Sequence, residues 1–77
     1  MKLEILSAKG TVVDCEVTSV VLPGLEGSFG VLPGHTPFLS ILRKGNVTYF
    51  DTEDKSVPIN GGIVEVKGDS VCICLTE

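Results

Sequence analysis

No stretch of this 77-residue chain carries an apolar repeat of helical period over ten residues or more. Short runs of alternating apolar and polar residues are cut instead by Gly, Pro, Asn-Gly and Gly-Asp signals. Alternation puts successive side chains on opposite faces of a strand, and the interruptions are residues that turn a chain. This pattern excludes a helical bundle and predicts an all-β fold: a small antiparallel β-sandwich or flattened barrel. At this length residues 1–77 form a single domain, and partners or oligomerisation supplement so small a core.

Lys2 to Ser7 reads as a first strand, with Leu3 and Ile5 on one face. Thr11 to Leu22 is long enough for two strands, or one bent strand, with the break near Asp14 to Glu16. In that reading Val13, Cys15, Val17, Ser19 and Val21 share a face. Pro23 to Gly27 is a turn, Ser28 to Leu32 a short strand, and Pro33-Gly34-His35 another turn. Phe38 to Leu42 is extended or forms one short helical turn. Arg43 to Asn46 turns the chain into Val47 to Phe50. Asp51 to Asp54 is a hairpin tip, and Lys55 to Ile59 is its return strand. Asn60-Gly61-Gly62 is a tight turn. Gly68-Asp69 joins the last two strands, Ile63 to Lys67 and Ser70 to Leu75.

Ten acidic residues against six Lys and Arg leave a net charge of −4. The bases are scattered, so nucleic acid and anionic membrane surfaces are poor partners. No run approaches the ~20 apolar residues of a spanning helix, so any membrane contact is indirect. The three cysteines, Cys15, Cys72 and Cys74, have no framework spacing and read as reduced thiols of a cytoplasmic compartment.

Several chemistries can be weighed on these residues. The Gly24-x-x-Gly27-x-x-Gly30 spacing lacks both the Gly-Lys-Ser/Thr of a phosphate loop and a following helix. A Cys15–His35 nucleophile pair needs a third, orienting group that the sequence does not offer. Cys15, Cys72, Cys74 and His35 number four, but structural zinc favours Cys-x-x-Cys on turns over Cys-x-Cys within a strand. Catalytic residues, cofactor and metal are therefore expected to be none. Glu65, between Val64 and Val66, either faces solvent or reaches a partner, with solvent slightly favoured.

Leu22 to Phe38 is the exceptional stretch. It holds three of the four prolines and the only histidine. So much backbone-shaping residue in one place specifies a surface. Within it, Gly27-Ser28-Phe29-Gly30-Val31-Leu32-Pro33-Gly34-His35-Thr36-Pro37-Phe38 resembles the signature of the epsilon subunit of F-type ATP synthase. Lys44-Gly45-Asn46-Val47 is similar to a family turn that carries an additional proline. Asn60-Gly61-Gly62-Ile63-Val64-Glu65-Val66 is similar to the family's Gly-Gly-Phe/Ile-x-Glu-Val strand. The matches run in order over essentially the whole chain.

The resemblance implies an N-terminal β-sandwich at the foot of the central stalk. There it is a non-catalytic rotor subunit coupling the gamma subunit to the membrane c-ring in proton-driven ATP synthesis. The implied location is peripheral, at the cytoplasmic face of the bacterial inner membrane. The partner-facing residues implied are Glu26, Gly27, Ser28, Phe29, His35, Thr36, Pro37 and Glu65. Ser28 stands where many relatives carry an acidic residue, which leaves Glu26 as the neighbouring carboxylate. Relatives usually continue into a C-terminal helical hairpin that can inhibit ATP hydrolysis. Apart from the resemblance, Leu25, Phe29, Leu39 and Ile41 exceed what so small a core needs and are candidates for a partner-facing patch. The alternative reading is a small β-sandwich binding module for an unknown ligand.

Overall fold

In the computed structural model, which describes residues 1–76, the chain forms nine strands. They are β1 (Lys2–Ser7), β2 (Gly10–Glu16), β3 (Ser19–Gly24), β4 (Gly27–Val31), β5 (Phe38–Leu42), β6 (Gly45–Phe50), β7 (Asp54–Ile59), β8 (Gly62–Lys67) and β9 (Ser70–Leu75). Their hydrogen bonds run in the order β2-β1-β9-β8-β5-β3-β6-β7, with β4 attached to β3. The sheet curls on itself at one corner, where β5 and β3 share the single register pair Gly24↔Leu42. The arm β2-β1-β9-β8-β5 thus faces the arm formed by β3, β4, β6 and β7, and the fold is the expected all-β sandwich, open along one side.

Alternation decides what lies between the arms. Leu3 and Ile5 of β1, Val64 and Val66 of β8, and Val71 and Ile73 of β9 point inward from one arm. Val20 and Leu22 of β3, Val31 of β4, and Val47 and Tyr49 of β6 meet them from the other. Burying each such aliphatic side chain contributes roughly 1.5–3 kcal/mol, so this layer is what holds the arms together.

Three local expectations are corrected. The break in the long N-terminal segment falls at Val17-Thr18, not at Asp14 to Glu16. The Val17 N–H donates to the Met1 carbonyl at 2.8 Å, and the Thr18 N–H donates to the Phe50 carbonyl at 2.8 Å. Consecutive residues therefore bond to opposite arms, and the alternation changes phase between them. Val21 consequently faces out, while Val20 and Leu22 face in. Pro23 and Gly24 extend β3, so the turn narrows to Leu25-Glu26. The sheet is not antiparallel throughout either, because β1 and β9 pair in parallel.

The hairpin tip after β6 is organised by one carboxylate. Asp51 Oδ1 accepts the N–H groups of Thr52 and Glu53, and Oδ2 accepts from Lys55 Nζ at 3.0 Å. The Lys55 bond, ahead of the two backbone bonds, holds the Asp51 carboxyl down to about 2. A depressed carboxyl stabilises the folded form above its ordinary value of 3.8, and that contribution is lost as pH falls from there towards about 2. An NMR titration of the Asp51 carboxyl is expected to give a midpoint near 2, moving up towards 3.8 in Lys55→Met.

Candidate functional site

The corner where the two arms meet builds a concave surface. Strand β3 ends at Gly24, Leu25-Glu26 turns, and β4 returns with Gly27 paired to Gly24. Gly27 has φ +134°, a conformation that an L side chain rarely adopts. Arg43 fastens this hairpin to the other arm. Its backbone N–H donates to the Pro23 carbonyl and its Nε to the Gly24 carbonyl, both at 2.9 Å. Read from sequence, Arg43 belongs to a solvated turn; in the structure it is a fastening.

Between this hairpin and the outer face of β5 and β8 lies an open groove of about 820 Å³. Its walls are apolar: Leu25, Phe29, Leu39, Ile41 and Ile63 line it, with Glu26 and Ser28 beside them. Leu25 is 61%, Leu39 70%, Ile41 56% and Ile63 49% exposed, so these are not core residues in the isolated chain. Register explains their grouping. Ile41 lies opposite Ile63 and Leu39 opposite Glu65, all on the face away from the core.

A second, shallower depression shares Leu39 and adds Pro37, Glu65 and Lys67. His35 joins through aromatic contacts. Its ring lies 5.0 Å from Phe38, and Phe38 meets Phe29 edge-on at 5.6 Å. His35 Nδ1 is 2.7 Å from the Thr36 carbonyl. A carbonyl only accepts, so Nδ1 carries the proton there. Of the residues expected at a partner surface, Glu26, Gly27, Ser28 and Phe29 line the groove, and Pro37 and Glu65 line the second depression; His35, with Thr36 next to it in sequence, connects to the groove only through Phe38 and Phe29. Leu25, Leu39 and Ile41 line the groove as well. Ile63 is the residue that sequence reasoning missed. Its signal was available in the alternation Ile63-x-Glu65-x-Lys67, which faces away from Val64 and Val66.

The thiols are divided by the sheet. Cys15 pairs in register with inward-facing Leu3 and packs against the core, whereas Cys72 and Cys74 face outward from β9. Burial pushes the Cys15 thiol up, away from the thiolate that nucleophilic chemistry uses. No hydrogen bond links it to His35 among the described residues. Nor does any group of three or more His, Cys, Asp or Glu converge there in a geometry fit for a metal ion. What the corner presents is an apolar, wide and open surface with carboxylates beside it.

Comparisons with known proteins agree with the fold. The family model for the ATP synthase Delta/Epsilon chain, beta-sandwich domain, matches residues 1–77. The ATP synthase epsilon chain of Wolinella succinogenes is 42% identical over 73 residues, covering 92% of this chain and 56% of the relative. That of Chlorobium limicola is 41% identical over 78 residues, covering 99% of this chain and 88% of the relative. Against the Wolinella and Sulfurimonas denitrificans proteins the chain spans only somewhat over half of the relative's length, 56% and 58%. A chain in the Euglena gracilis mitochondrial ATP synthase assembly of OSCP, F1 and c-ring superposes with a TM-score of 0.89 at 24% identity, over 97% of this chain and 49% of that one. Another in the Tetrahymena thermophila mitochondrial ATP synthase central stalk and c-ring superposes at 0.85 with 14% identity, over 100% and 63%. At those identities the structural likeness speaks for the fold alone. With the sandwich, the corner hairpin and a family match over its full length, this chain belongs to the ATP synthase delta/epsilon chain β-sandwich family.

Proposed function

We propose that this chain is a non-catalytic rotor subunit of an F-type ATP synthase, joining the gamma subunit to the c-ring during proton-driven ATP synthesis. The observation that carries the proposal is the exposed apolar groove of Leu25, Phe29, Leu39, Ile41 and Ile63 at a rigid corner of the sandwich. Exposed apolar groups gathered into one patch mark an interaction surface. A member of an ATP synthase family has an obvious class of partner for it. In this reading the groove and the Glu65 row take the gamma subunit. Glu26 of the hairpin turn, with Gly27 and Ser28 at the start of β4, and the His35-Thr36-Pro37 loop take polar loops of the c-ring. The domain sits peripherally at the cytoplasmic face of the bacterial inner membrane, held there by its partners.

The coupling role suits the mechanics. Torque passes between shaft and ring only if the connecting body does not bend. A two-armed sheet pinned at its corner by Arg43 provides such a body, and the loops that would meet partners are short and rooted in it.

The test is recovery of the complex. A tagged copy expressed in its native host is expected to bring down a gamma subunit and a c-ring protein, and recovery of neither would overturn the proposal. His35→Ala is expected to fold like the parent and recover less of the complex. If His35→Ala instead unfolds the isolated chain, His35 supports the fold and has no part at the interface.

A further inference from the structure

Strand β9 carries a pair of thiols that the coupling role does not use. Its alternation sends Val71 and Ile73 into the core and Cys72 and Cys74 to the opposite face. Both are free, Cys72 half-buried and Cys74 exposed. Cys72 lies between Glu65 of β8 and Glu4 of β1 in register, and Cys74 lies between Ile63 and Leu6. One sulfur is thus flanked by two carboxylates and the other by two aliphatic side chains.

The spacing selects what such a pair can do. Residues two apart on a strand are separated by about 6.6 Å along the backbone. A disulfide needs Cβ atoms about 3.5–4.5 Å apart, which a regular strand does not allow. A single ion bound in line between two thiolates is different. With the zinc–sulfur length of about 2.3 Å as an upper guide, two metal–sulfur bonds span at most about 4.6 Å. Two side chains leaning towards each other from adjacent outward positions bring their sulfurs towards that span. A tetrahedral zinc site needs further ligands, and Cys15 is on the inner face of the sheet. Two-coordinate binding needs none, and soft thiolates select Cu(I).

We propose that Cys72 and Cys74 form a two-coordinate site for a soft monovalent d¹⁰ ion, Cu(I), on the outer face of β9. Binding replaces two S–H bonds by two S–Cu bonds and releases two protons, leaving a bis-thiolate complex of net charge −1 with no change of oxidation state. Glu4 and Glu65 favour the approach of the cation, although burial, the Cys74 thiol and these carboxylates push the Cys72 thiol up, so binding must displace its proton; Ile63 and Leu6 flank Cys74 with apolar groups. The site rests on β9 and its two neighbouring strands, and it shares Ile63 and Glu65 with the surface proposed above for the gamma subunit, so it belongs to the free chain.

The probe is Cu(I) supplied as its bicinchoninate complex without oxygen, with transfer to the whole chain followed by the loss of the chelate's colour. One Cu(I) per chain is expected for the parent and for Cys15→Ser. No transfer is expected for Cys72→Ser or Cys74→Ser, each checked for an unchanged β-type circular dichroism spectrum. Transfer to both single variants equal to the parent's, loss in Cys15→Ser, or one copper per two chains would each overturn the site. Alkylation gives a reading free of substitution. Iodoacetamide followed by mass spectrometry is expected to modify Cys72 and Cys74 in the metal-free chain and neither in the copper-loaded chain. Modification of Cys74 at an undiminished rate in the loaded chain overturns the proposal.

Discussion

Gly62→Ala is expected to cost about 3 kcal/mol, the upper part of the range for forcing an extra methyl into a packed site. The position opens β8, buried, between Leu42 of β5 and Leu75 of β9. A Cβ built there would stand 2.5 Å from the Cys74 carbonyl oxygen and 3.2 Å from the Leu75 Cα. Those are backbone atoms, and β9 cannot retreat. It is paired on both sides, with β1 and β8, and Val71 and Ile73 anchor it in the core. For a domain of this size each kcal/mol lowers the melting temperature by about 4–8 °C, so the shift expected is a drop of roughly 12–24 °C. Gly30→Ala is the matched control. Its added Cβ meets nothing nearer than the Val20 carbonyl at 3.8 Å, and the residue is exposed. It is expected to change stability by no more than about 0.5 kcal/mol. Thermal unfolding by circular dichroism checks both, and a Gly62→Ala variant melting within a few degrees of the parent would contradict the packing account.

The second large effect concerns binding and leaves the fold alone. Leu39→Asp and Ile41→Asp place a charge in the groove at side chains that already face solvent. Surface changes of this kind usually alter stability by about 0.5 kcal/mol or less, so the isolated variants are expected to fold like the parent. A partner that closes over the groove would strand each carboxylate without water. An apolar anchor at the centre of an interface is commonly worth about 2 kcal/mol or more, a factor of about 30 in affinity. Each variant is therefore expected to lose at least that factor for a purified gamma subunit, measured by titration. Retention of the parent's affinity by both would remove the groove from the interface.

Much of this architecture was legible in the sequence because alternation is a local signal. Val64 and Val66 against Glu65 and Lys67, or Val47 and Tyr49 against Thr48 and Phe50, announce a strand and its inner face without any neighbour. What escaped depends on contacts distant in sequence. The phase change that turns Val21 outward is produced by Val17 and Thr18 bonding to Met1 and Phe50, from two different arms. The parallel pairing of β1 with β9 joins the first strand to the last, and nothing near Lys2 or Ser70 encodes its direction.

The candidate site divides in the same way. Leu25, Leu39 and Ile41 could be singled out as apolar residues in excess of a small core, whereas Phe29, expected with them, packs against the core as well as lining the groove. That Ile63 completes the groove follows only from the register of β5 on β8. The role of Arg43 was hidden because its acceptor, the Gly24 carbonyl, is a backbone atom of another strand.

The measurement that tests the central claim most directly is crosslinking inside the assembled complex. A photoreactive phenylalanine analogue at Leu39, in the groove, is compared with one at Pro58, exposed on the edge strand β7. With a tagged chain in its native host, irradiation is expected to join the Leu39 variant to the gamma subunit and to leave the Pro58 variant without that adduct. A gamma adduct from Pro58 and none from Leu39 would put the interface on the wrong side of the sandwich and contradict the account.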